Sequence, residues 1–160
     1  MDSDKRIVSV SIRGTHFDYV QGAQKCFYKV NVEYEGESWQ VLKRYNDFHD
    51  LHEQLLFHFT AVPTFPRKTL FAVKKPEQIE KRRGQLEMFI KLCAQREEFY
   101  ANTKFTTFLE LDENAPDTML NQIALVGRLT HPQFGYRDVI IQKKYNLIFV
   151  LTSQMSASAR

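Results

Sequence analysis
Apolar positions recur with a period of two in the first third of the chain and with a period near 3.6 beyond it. "IVSVSI" (7–12) alternates as a short strand does, and "FYKVNVEY" (27–34) sets Tyr28, Val30, Val32 and Tyr34 on one face. "EGE" at 35–37 supplies a turn and "SWQVLKRY" (38–45) a third strand, so the pattern predicts a meander of three antiparallel strands. Asn46 then reads as a helix cap, with Asp47 and Asp50 in the first turn, where the positive helix end favours carboxylates. Phe48, Leu51, Leu55 and Phe59 follow on one side of that helix.

Pro63, Pro66 and Pro76 exclude "VPTFPRKTLFAVKKPEQ" (62–78) from regular structure. A second helix is predicted from about Glu77 to Gln95, with Ile79, Leu86, Phe89, Ile90 and Cys93 as its apolar stripe. Arg82 lies inside this stripe, within roughly 80° of every apolar member, while Arg83 flanks it and Lys81 points to solvent. An arginine on the core-facing side needs a carboxylate, carbonyls or a bound ligand, or else it lays its stem over apolar surface. "EFYANTKFTTFLEL" (98–111) reads as short helical turns closing the same core, and "DENAPDT" (112–118) as a polar linker. "RDVIIQKKYNLIFVLTS" suggests two strands about a turn; an isolated hairpin is marginal, so it packs on the first domain or opens a second one. The expected class is α+β, a three-stranded antiparallel β-sheet against a helical subdomain with a proline-rich loop, plus a C-terminal β-rich extension. The expected partition is a domain at 1–112, a linker at 113–122 and a hairpin-like segment at 123–160.

Composition changes this picture little: 43% hydrophobic and 26% charged residues are ordinary for a soluble globular protein. The longest apolar run, "LIFVL" at 147–151, is far below the ~18 residues of a membrane span, and "MDSDKRIV" lacks the apolar stretch of a signal peptide. A cytoplasmic protein is expected. Cys26 and Cys93 support neither a disulfide framework nor a zinc site and read as reduced, mostly buried thiols.

Charge is more telling, because it is uneven. The formal net charge is +3, yet Arg67, Lys68, Lys74, Lys75, Lys81, Arg82 and Arg83 face only Glu77 and Glu80 in their window, which leaves that window at +5. A local basic patch on a nearly neutral chain suits an anionic partner met at one face; nucleic acid, which needs a longer track with stacking aromatics, is not expected.

Catalytic patterns fail on geometry. In "HDLHEQLLFH" (49–58) His52 and His58 are about 120° apart round a helix, where a zinc-protease helix needs its histidines four residues apart, so surface histidines are expected and no metal site. The six glycines form no phosphate loop, and no serine has a nucleophile-elbow context. Neither enzymatic activity nor a cofactor is expected.

What remains is Arg44 and Tyr45 at a strand-to-helix joint, Lys68 beside a proline loop and Arg82 on the next helix. Here the sequence resembles the phox homology (PX) domain, a phosphoinositide-binding module of the sorting-nexin type, over about residues 5–112. The resemblance rests on three linked motifs: "KRYNDFHDLHEQL", "VPTFPRK" and "RRGQLEMFIK". Lys43 stands where the family often has Arg, and Asn46 where it often has Ser. The resemblance implies that Arg44 holds the 3-phosphate of phosphatidylinositol 3-phosphate, that Tyr45 packs on the inositol, that Lys68 meets the 1-phosphate and that Arg82 meets the 4- and 5-hydroxyls. It further implies recruitment to endosomal membranes as a peripheral protein. A forked guanidinium suits a phosphate dianion, and a lysine acts as a point charge.

Leu70, Phe71 and Val73, ringed by Lys68, Lys74 and Lys75, form a candidate membrane-inserting loop, apolar at its tip and cationic at its rim. A competing use of the same region is open: "PTFPRK", from Pro63 to Lys68, also fits a Pro-x-x-Pro-x-basic ligand for a Src-homology-3 partner.

Overall fold
Alternation at Tyr28, Val30, Val32 and Tyr34 does produce a strand with all four buried, but the strand is longer than its periodic part. The computed structural model describes residues 8–34, 36–69 and 73–115, and in it β1 spans Ser9–Val20, β2 Ala23–Tyr34 and β3 Glu37–Lys43, in sheet order β1-β2-β3, each pair antiparallel. The β1–β2 ladder runs past the predicted strands, through Thr15↔Tyr28 and Phe17↔Cys26 to Val20↔Ala23. Gln21 (φ 52°) and Gly22 (φ 76°) close it as a two-residue turn with both residues left-handed, which suits the twist of a hairpin. One extra β1 residue is accommodated between Ile12 and Thr15, a bulge that bends the far half of the hairpin.

Helix α1 (Tyr45–His58) buries Phe48, Leu51 and Leu55 as its spacing requires. Its cap differs from expectation: Arg44, extended at φ −88° and ψ 165°, is the capping residue, and Asn46 sits inside the first turn. The reason is Asp47, whose carboxylate accepts the Arg44 backbone N–H at 2.6 Å, so the third helical residue fixes where the helix starts. Helix α2 (Pro76–Ala94) buries Ile79, Leu86, Phe89, Ile90 and Cys93, the predicted stripe. Pro76, expected outside regular structure, opens this helix, because the first helical N–H has no partner to lose. A 3-10 turn (Glu97–Ala101), α3 (Thr103–Phe108) and α4 (Leu111–Asn114) close the core. With α4 ending at Asn114 and Ala115 buried, helical structure continues past residue 112. The remaining linker and the segment at 123–160 lie outside the described residues.

The core lies between the inner sheet face and the helices, where Phe48 meets Tyr28 and Phe108 edge-on at 6.1 and 4.8 Å. Two polar ties join β3 to the α3–α4 joint: Trp39 Nε1 donates to the Leu109 carbonyl at 2.8 Å, and Lys43 Nζ lies 3.1 Å from a Glu110 carboxylate oxygen. Cys93 is buried and Cys26 half-buried, both free thiols, and burial raises the pKa of each.

The two neighbouring arginines of α2 divide their roles. Arg83, expected merely to flank the stripe, turns toward β1: its Nη1 donates to the Ile12 carbonyl, at the bulge, and to Glu87 at 2.7 Å, while Nη2 meets Glu80 at 2.7 Å. It therefore ties helix to sheet and is withdrawn from the basic patch. Arg82 is left to face the cleft.

Candidate functional site
The site begins with the joint between β3 and α1. Because Arg44 caps the helix through its backbone, its side chain is free to leave the helix end, and the next residue, Tyr45, is held by its own hydroxyl, which donates to the Pro66 carbonyl at 2.7 Å. The proline loop is fixed in turn by Phe65. This ring stacks on His52 at 4.8 Å and meets Phe89 at 5.1 Å and Tyr45 at 5.5 Å. At the loop's start Arg96 donates to the Ala61 carbonyl.

His52, expected on the surface, is thus half-buried packing material. Burial lowers its pKa, as does His49, against Glu53, which raises it. The folded protein therefore takes up this proton at lower pH than the unfolded chain. Stability is intact above the unfolded value, near ~6.5, and falls as pH drops toward the folded one. Urea unfolding at several pH values between 7.5 and 5 should show this loss, and His52→Phe should flatten it.

Arg44, Tyr45, Lys68 and Arg82, from three separate chain segments, line one cleft of about 660 Å³, together with Val73 and Lys74. The Arg82 guanidinium lies over the Tyr45 ring, Cζ 4.4 Å from its centroid, and Nη2 donates to Thr69 Oγ1 at 2.8 Å. That is one hydrogen bond, among the described residues, for a group with five N–H donors. No carboxylate of the described residues pairs with Lys68, Lys74 or Arg82, and Arg44 has only Asp47 at 3.7 Å, a half-buried pair too long to carry much weight. The neighbouring phenols stay neutral. Burial, reinforced by Cys26 and opposed by Arg82, pushes the Tyr28 hydroxyl up to about 12, and burial likewise raises Tyr45. Five cations, Lys25, Arg44, Lys68, Lys74 and Arg82, thus face one cavity with little compensation among the described residues, an arrangement suited to a multiply charged anion of small-ring size.

Several lining residues were invisible to sequence reasoning: Phe17, Lys25 and Cys26 come from the far half of the β1–β2 hairpin, and Thr69 from the loop. The signal available was the loose alternation of "HFDYVQGAQKC" about its Gln-Gly turn. Lys75 is exposed beside the cleft at the start of α2. Leu70 and Phe71 lie outside the described residues. No helix of the described residues is long and apolar enough to cross a membrane.

A family model described as "PX domain" matches residues 31–112, which span the capping joint, the proline loop and both long helices. The chain belongs to the PX-domain family. Among curated proteins, sorting nexin-8 of Bos taurus is 37% identical over 100 residues, covering 59% of this chain and 21% of that protein. Sorting nexin 1 of Arabidopsis thaliana is 34% identical over 96 residues, 56% of this chain and 23% of that protein. Serine/threonine-protein kinase Sgk3 of Rattus norvegicus is 30% identical over 114 residues, 70% of this chain and 23% of that protein. The matches thus take in less than a quarter of each relative. Among solved structures, a designed CISK-PX domain is similar at a TM-score of 0.58 and 27% identity, over 62% of this chain and 96% of that one. The PX domain is a phosphoinositide-binding module and not a catalytic one.

Proposed function
We propose that this PX domain selects phosphatidylinositol 3-phosphate and, from the cytoplasm, recruits its parent protein to endosomal membranes as a peripheral protein. The observation that carries the reading is the convergence of Arg44, Tyr45, Lys68 and Arg82 on one cleft with almost no carboxylate of the described residues to neutralise them. In this reading Arg44 grips the 3-phosphate, Lys68 the 1-phosphate, and Arg82, steadied by Tyr45 and Thr69, turns its remaining donors to the 4- and 5-hydroxyls. The Tyr45 ring forms the wall on which the inositol packs. Co-sedimentation with phosphatidylcholine vesicles, each carrying one phosphoinositide, tests the choice: the 3-monophosphate should be retained best, and equal retention of all would overturn it.

Membrane contact is assigned to Leu70, Phe71 and Val73 with the rim lysines Lys74 and Lys75. Lys75 gives the cleaner test, because it does not line the cleft and caps α2 without a side-chain hydrogen bond. Lys75→Ala should weaken vesicle binding about fivefold, since a lysine near an anionic surface contributes about 1 kcal/mol. Affinity for soluble inositol 1,3-bisphosphate, measured by calorimetry, should stay unchanged.

The Src-homology-3 reading of Pro63 to Lys68 is disfavoured. Pro66 is buried with its carbonyl occupied by Tyr45, and Phe65 is packed among rings, whereas a polyproline ligand must present both prolines to its partner.

A further inference from the structure
We propose that Thr69 is a phosphorylation site whose phosphate closes the cleft from within by taking Arg82 in place of a lipid headgroup. Thr69 is exposed and, like Arg67 and Lys68 before it, lies in no helix or strand, where a kinase can accept it as extended chain. Arg67 and Lys68 precede it directly, a basic pair that suits the acidic substrate groove of a basophilic kinase. Its Oγ1 is already 2.8 Å from Arg82 Nη2, so a phosphate esterified there carries three acceptor oxygens to a guanidinium with donors to spare. Lys68 is its chain neighbour, and Lys74 and Arg44 line the same cavity.

The transfer is ordinary kinase chemistry. Thr69 Oγ1 attacks the γ-phosphorus of ATP, the Oγ–P bond forms as the bond to the β-phosphate oxygen breaks, ADP leaves, and the hydroxyl proton passes to the kinase's base. The product adds about −1.5 to −2 charge at neutral pH. It would cancel much of the cleft's positive potential and, being tethered, compete at an effective concentration on the order of millimolar.

This inference rests on the lipid reading, so its test needs an arm independent of lipid. The 160-residue chain carrying encoded phosphothreonine at position 69 is compared with the unmodified chain. On phosphatidylcholine vesicles containing phosphatidylinositol 3-phosphate, the phosphorylated chain should bind at least tenfold more weakly. In a phosphorus-31 NMR titration its phosphate should ionise below the ordinary second pKa near ~6, and Arg82→Gln should restore that value. Incubation with protein kinase C and ATP should leave phosphate on Thr69 by peptide mapping, and none in Thr69→Val at that position. Unchanged vesicle binding, a phosphate titration indifferent to Arg82, or no phosphate on Thr69 would each overturn the proposal. Failure of the unmodified chain to bind these vesicles would instead remove the lipid reading, and the NMR comparison would still decide whether the phosphate occupies the cleft.

Discussion

Replacing Arg44 with alanine is expected to lower affinity for vesicles bearing phosphatidylinositol 3-phosphate by a hundredfold or more while leaving the fold intact. The two halves of this expectation come from different atoms of the same residue. The helix cap uses the Arg44 backbone N–H and the Asp47 carboxylate, and alanine keeps that N–H. The side chain is 41% exposed and its ion pair with Asp47, at 3.7 Å, contributes at most about 1 kcal/mol. Binding loses more. A hydrogen bond to a charged group contributes about 1.5 to 3 kcal/mol, and a forked guanidinium makes two, so truncation costs roughly 3 to 6 kcal/mol, or a factor of about 10² to 10⁴. Arg44→Lys should fall between, because a point charge restores attraction without the fork. Calorimetry with inositol 1,3-bisphosphate, alongside thermal unfolding, reads both halves; undiminished affinity in Arg44→Ala would remove the 3-phosphate from this residue.

The parts of the fold legible in the sequence are those in which burial alternates. Tyr28, Val30, Val32 and Tyr34 repeat every second residue because one sheet face meets the helices, and the stripe from Ile79 to Cys93 repeats at helical spacing for the same reason. The far half of the β1–β2 hairpin has no such face. Residues 15–26 are exposed or half-buried, and what orders them is backbone pairing and a left-handed two-residue turn, neither of which imprints a hydrophobic period. One wall of the cleft was therefore hidden.

Residue type also misled where position decided. Asn46 looks like a cap, yet Asp47 at the third helical position selects Arg44; Pro76 looks like a breaker, yet it fits the first helical position. The four principal cleft residues were legible because they belong to motifs whose spacing is set by chemistry. Their convergence, with Arg82 stacked on Tyr45, needed the tertiary structure.

That stacking separates Arg82 from Arg83, and the second large expected effect lies in the contrast between them. Arg83→Ala should destabilise the domain by about 3 kcal/mol, a fall of roughly 12 to 20 °C in Tm for a domain of this size. The Arg83 side chain is only 20% exposed, and its removal leaves the Ile12 carbonyl without that donor and Glu87, 19% exposed, with Lys91 at 2.8 Å as its remaining ion-pair partner. Glu80, at the surface, can be rehydrated at little cost. The pH dependence carries the same signature. Burial raises the Glu87 pKa, but hydrogen bonds from Lys91 and Arg83 outweigh it and hold the carboxyl below its ordinary value. Its stabilisation is therefore present above the unfolded carboxylate value, near ~4.3, and is lost as pH falls through the folded one, a loss that Arg83→Ala should reduce. Arg82→Ala should do the reverse of all this: Tm within a few degrees of the parent, because its partners are a ring and an exposed hydroxyl, and headgroup affinity lowered about fiftyfold. Thermal unfolding and vesicle co-sedimentation on the same preparations, below the lower Tm, decide the matter. A folded Arg83→Ala protein that failed to bind lipid would show that the structural tie to β1, and not the cleft alone, governs recognition.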